Sequence, residues 1–273
     1  MNPWMAIGRL FFALGLVGLG IEHLVFQEFV TGRAPEWPAA IPGREVWASV
    51  SGVAVIATGV AIITGRRARL AALLAGVLIF LWAVLRHLPV VATDSFLAPS
   101  WTKAGKALTL FGGALAIAGS LPREEGSRAR RLLRLVNLSG ELAVLGRICL
   151  GTFFLITGAQ HFIYTEFVAS LIPGWFPGDA LFWTAFAGVA LIAGGAGLLV
   201  PRTARPAALL SGLMVFSWFW IVHVPRTVGG VSDKIAVFEA LATCGIAFVL
   251  AGYPDSRTAP LPRCTMERSA RDP

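Results

Sequence analysis

Apolar residues run through this chain in blocks of about 20, each closed by glycine, proline or a cluster of charge. A helix rising about 1.5 Å per residue needs blocks of that length to cross a hydrocarbon core about 30 Å thick. Eight such spans are expected, at about 6–26, 45–64, 69–91, 103–121, 143–164, 181–200, 206–225 and 233–252. The charged segment PREEGSRARRLLRLVNLSGE separates the fourth from the fifth, and the polar run YPDSRTAPLPRCTMERSARDP follows the eighth. The expected architecture is an all-α membrane protein. Residues 1–121 form one four-helix repeat, 122–142 a basic cytoplasmic linker, 143–252 a second four-helix repeat and 253–273 a polar cytoplasmic tail. The first block reads as a retained span, because no small-x-small cleavage site precedes the polar loop after it.

The two halves are copies of one unit. GRLFFALGLVGLGIEHLVFQEFV (8–30) aligns without gaps on GRICLGTFFLITGAQHFIYTEFV (146–168), pairing Arg9 with Arg147, His23 with His161, and Glu28-Phe29-Val30 with Glu166-Phe167-Val168. The same register pairs Trp37 with Trp175. After a two-residue shift, Trp47 meets Trp183, Trp82 meets Trp218, and His87 meets His223. A fixed offset carried over two long segments is the mark of tandem duplication. With an even number of spans per unit, the copies should be parallel and related by an axis along the membrane normal.

Composition agrees with the bilayer. The chain is 56% hydrophobic and only 14% charged, against about a quarter charged in soluble domains. Its net charge of +8 comes from arginines that punctuate apolar spans rather than forming aromatic-interleaved patches, which excludes nucleic acid as the expected partner. Lys and Arg gather at Arg9, the Arg66-Arg67-Arg69 turn, the linker, the Arg202/Arg205 turn and the tail. With alternating spans all of these fall on one side, so a cell inner membrane with both termini cytoplasmic is expected. Cys149, Cys244 and Cys264 include no C-x-x-C pair, which argues against a thiol relay; the first two read as small apolar helix residues.

All four histidines of the chain fall at matched positions: His23, His87, His161 and His223 end outward-running spans. Glu28 and Glu166 open the long, aromatic, proline-rich outer loops, whereas the cytoplasmic turns are short. One shallow polar pocket per repeat, roofed by that loop, is therefore expected. Glu22 is matched by Gln160, so only the first copy can exchange a proton there. Arg86 is expected to snorkel outward beside His87. The glycine-rich runs serve close helix packing, and none follows a strand as a nucleotide-binding loop would require. The tryptophans read mostly as interfacial belt or packing residues.

The four-span unit, its glycine-rich first helix ending in histidine, and its short basic turns resemble the DoxX-like membrane proteins. The resemblance covers about residues 5–121 and 143–252. That family includes a subunit of a thiosulfate:quinone oxidoreductase, so the resemblance implies a quinone-linked redox role with a periplasmic or membrane redox partner. The fusion of two units in one chain is a departure, and no catalytic residue carries over. The residues expected to hold a quinone are His23, Glu28, His87, His161, Glu166, His223 and Glu22: imidazole bonds a quinone oxygen and carboxylate relays protons. A non-enzymatic transporter or lipid-binding scaffold, and haem or metal binding by the paired histidines, stand as alternatives.

Overall fold

The structure is a computed structural model that describes residues 2–122 and 139–253. Most of the expected linker and tail, and Cys264, lie outside the described residues. Those described form an all-helical bundle with no strand among them. Helix α1 (Pro3–Phe26) starts with a proline in its first turn and Asn2 Oδ1 accepting the Trp4 N–H at 3.0 Å. These are the residues that best satisfy a free helix start. Helix α2 (Arg44–Thr64) ends at Gly65, whose φ of 73° is the left-handed conformation that glycine adopts at least cost.

Helix α3 (Ala68–Trp82) passes through a π-helical turn, Ala83–His87, into α4 (Leu88–Thr93). The cause is Pro89. Its ring cannot sit over the carbonyl four residues back, so the chain widens by one residue there. Helix α5 spans Pro99–Ser120, α6 Ser139–Ile163, α7 Thr165–Ser170, α8 Ala180–Leu199, α9 Ala204–Trp218 and α10 Val231–Gly252. After α9 a second π turn, Phe219–His223, precedes Pro225 and a short 3₁₀ turn, Pro225–Val228. His87 and His223 each end a π turn.

Among the described residues seven helical runs are long and apolar enough to cross a membrane: α1, α2, α3 with α4, α6, α8, α9 with its continuation, and α10. The fourth expected span coincides with α5. It is 22 residues long but carries Lys103 and Lys106 in its first two turns, and it is not among the seven. Val77, Val189 and Leu210 stand well exposed on the outside, as side chains facing lipid would.

Helix α10 is the interior element, with 89% of its most apolar window buried beneath α1, α9, α5 and α6. Helix α1 lies between α2 and α10, and α6 lies between α5 and α8. Glycines set both contacts. A Cβ on Gly8 would stand 2.5 Å from the Gly245 carbonyl oxygen, and one on Gly146 would stand 2.5 Å from that of Gly112. Only backbone-on-backbone packing fits, the usual way apolar helices associate without a hydrophobic drive.

The two ends of the bundle differ in charge. Arg9, Arg66, Arg67, Arg69, Arg147, Arg202 and Arg205 mark one end, where Glu141 is the sole acid among the described residues. Arg69 Nη1 donates to the carbonyls of Ala118 (3.1 Å) and Leu121 (3.3 Å), at the close of α5. Arg205 Nε reaches the Ala251 carbonyl at the close of α10. Each guanidinium meets the negative end of a helix. Acids and bases mix at the opposite end, where the histidines lie.

Candidate functional site

His23 and His161 are held alike. Nδ1 of His23 lies 2.8 Å from the Leu19 carbonyl, and Nδ1 of His161 lies 2.7 Å from that of Thr157. A carbonyl only accepts, so Nδ1 carries the hydrogen in both rings and Nε2 of the neutral ring is left with a lone pair. In the first half, Nε2 of His23 sits 3.4 Å from the Thr31 hydroxyl. In the second half, His161 faces a cavity and its Nε2 meets no hydrogen-bonding group among the described residues.

That cavity, about 260 Å³, lies between α6, α8, α9 and α10 and is walled mainly by apolar side chains such as Phe154, Leu191 and Met214. Trp183 and Trp218 line its outer part with their centroids 6.2 Å apart. His223, Glu239 and Lys106 add polar groups to the wall. The first half has a counterpart of about 20 Å³, lined by His23, Phe29, Ser51, Trp82 and His87. That is room for about one water.

An ionic cluster sits where the halves meet. Oε2 of Glu239, on α10, accepts from Lys106 Nζ at 2.6 Å and from Arg33 Nε at 3.1 Å. Oε1 is buried and meets no hydrogen-bonding partner. Arg33 comes from the loop between α1 and α2 and also donates to Ser232 at 2.7 Å. The loop reaches α10 through two successive left-handed residues, Gly32 (φ 66°) and Arg33 (φ 52°). A Cβ on Gly32 would stand 2.8 Å from the Ala107 Cβ, so both conformation and space require glycine there.

The residues expected to form the site divide. His161 and His223 share the large cavity, and His23 and His87 share the small one. Glu22 is buried at the end of α1 with Oε2 unpartnered, close enough to feel the charges of Glu239 and Arg33. Gln160 instead bonds to the Leu97 and Ala98 carbonyls (2.9 and 3.0 Å) and to the Thr102 hydroxyl, tying α6 to the start of α5. The two outer-loop glutamates leave the site. Glu28 is half-exposed and pairs with Arg44 at 2.9 Å, and Glu166 is exposed in the first turn of α7.

Arg86 corrects the expectation that it snorkels. It is 7% exposed, its guanidinium lies 4.8 Å from the Trp37 centroid and 5.6 Å from that of Phe29, and it donates to the Pro35 carbonyl. Two aromatic faces and a carbonyl replace the water it would find outside. Glu239 and Lys106 escaped the sequence reading. A charged residue within an apolar span is itself the signal that finds them. Among the described residues no group of three or more His, Cys, Asp or Glu is gathered as metal ligands would be.

A family described only as a domain of unknown function (DUF8561) matches residues 150–237, from within α6 to the first turns of α10. The stretch includes His161, Trp183, Trp218 and His223 and stops just short of Glu239. No curated protein and no solved structure matches the chain.

Proposed function

We propose that this is a DoxX-like multi-pass protein of the bacterial inner membrane whose second half binds the head group of a quinol. In this reading α5 also crosses the membrane, as the fourth of eight spans, and the chain is two parallel four-helix repeats. The arginine-rich end is cytoplasmic, and the histidine end faces outward toward a periplasmic or membrane redox partner. What supports the duplication is the shared register of histidines, tryptophans and π turns. The Gly8–Gly245 and Gly112–Gly146 contacts, alike in kind, support it further.

One observation carries the choice of ligand. An apolar cavity of about 260 Å³ is lined by His161, whose Nε2 is an acceptor without a partner among the described residues, by the Glu239–Lys106 pair, and by two indole rings. The volume lies just under the range of about 300–1,000 Å³ typical of small-molecule sites. Acceptors need donors. A hydroquinone ring carries two O–H donors and the oxidised quinone only carbonyl acceptors, so the His161 Nε2 favours the reduced form. The Lys106 ammonium in the same wall can donate to an oxygen of either form. The surrounding lipid delivers such a ligand laterally, and its apolar tail stays in the bilayer.

Binding of reduced and oxidised menadione to the protein in nanodiscs, read by the part of the tryptophan quenching that Trp183→Phe/Trp218→Phe removes, tests this. Tighter binding of the reduced form is expected. Loss of one hydrogen bond worth about 1–1.5 kcal/mol predicts that His161→Ala weakens it about 5–10-fold. His223→Ala should weaken it as well, while His23→Ala leaves it unchanged. Unaltered affinity in the His161→Ala/His223→Ala protein contradicts the proposal.

A further inference from the structure

The small and large cavities are one place in the two halves. The register that pairs Trp47 with Trp183 also pairs Ser51 with Ala187 and Val55 with Leu191. With His23/His161, Trp82/Trp218 and His87/His223, these matched residues line the two spaces on corresponding walls. Yet one space is about 20 Å³ and the other about 260 Å³.

The difference is a ring. Phe29 is 7% exposed and lies in the first space, with its centroid 4.5 Å from that of Trp82. It stacks flat on Trp37 (5.1 Å, 4°) and meets His23 edge-on (6.0 Å, 82°). Its match, Phe167, is 65% exposed on α7 and lines nothing in the second space; Trp175, the match of Trp37, is 65% exposed as well. Arg86 covers the Phe29–Trp37 stack from outside, and the matching position holds Val222, which has no charge to place over a ring.

We infer that Phe29 is a built-in occupant, and that the second cavity takes a free planar six-membered ring in the place and pose that Phe29 holds in the first. The ring lies against Trp218 and roughly perpendicular to His161, as Phe29 lies against Trp82 and at 82° to His23. This rests on the proposed reading of the cavity and sharpens it. The ligand class is a flat aromatic or quinoid ring, one per chain, and the first half is closed to it by its own side chain.

Equilibrium dialysis of the detergent-purified protein, above a detergent-only blank, tests this with toluene, a six-membered ring without oxygens, and with methylhydroquinone. About one ring per chain is expected for the unmodified protein and about two for Phe29→Ala, whose vacated space should accept a second. Ala187→Phe, which leaves the first half untouched, should bring binding to about zero. A Phe29→Ala protein that still binds about one, or an Ala187→Phe protein that binds as before, overturns the inference. The second variant decides the matter if the first does not fold. Equal affinity for toluene and methylhydroquinone, with the stoichiometries as expected, would sink the quinol reading and leave the ring site standing.

Discussion

Glu239 is the residue on which both halves converge, since one carboxylate oxygen takes Lys106 from α5 and Arg33 from the first outer loop. Removing one member of a buried pair strands the others, which costs about 3–5 kcal/mol, whereas replacing both with apolar groups of similar size is much milder. Glu239→Ala should therefore lower stability by about 3–5 kcal/mol in reversible detergent unfolding. Lys106→Met/Glu239→Met should recover most of that loss. A Glu239→Ala protein as stable as the unmodified chain would mean that the cluster holds nothing together. The histidines were legible in the sequence because they repeat, and the cluster was not. Glu239, Lys106 and Arg33 come from three segments far apart in the chain, and no spacing relates them. Phe29 and Phe167 are the same residue in matched positions, so nothing in either side chain tells that one turns in and the other out. The Gly32–Arg33 turn and Arg86, both peculiar to the first half, accompany that difference.

The helices were the most legible level. Block length placed the long helices within a few residues but missed the short α7 in what reads as a loop, and Pro89 and Pro225 stand where the helices change character. The π turns themselves were not foreseen, although the prolines that cause them were in view. Where α5 falls short of the other spans the reason is chemical, because Lys103 and Lys106 lower the apolarity of its start. Lys106 is retained there by its bond to Glu239. The arginine-rich turns carry the proposed orientation, as basic residues resist translocation. Cysteine labelling of intact cells with a membrane-impermeant maleimide checks it. Ser95→Cys, in the exposed segment between α4 and α5, should react, and Arg66→Cys, between α2 and α3, should react only after the membrane is opened. The reverse pattern would invert the proposed topology.

In the proposed reading the whole molecule joins two similar units through the buried helix α10 and puts them to different uses. In the first, the outer loop turns inward, fills its cavity with Phe29, seals it with Arg86 and sends Arg33 across to α10. Burying one phenylalanine is worth about 2–3 kcal/mol, so a filled site also stabilises the unit that carries it. In the second, the matching aromatics stand outside and the cavity is open. The account's central claim is that a quinol ring enters this second cavity and no other place in the chain. Photolabelling with an azido-menadione, kept reduced during binding and followed by peptide mapping, tests it most directly. The account predicts label on α6, α8 and α9 around His161, Ala187 and Trp218, abolished by excess reduced menadione. Label confined to lipid-facing positions such as Val77 and Leu210, or undiminished by that competitor, would contradict it.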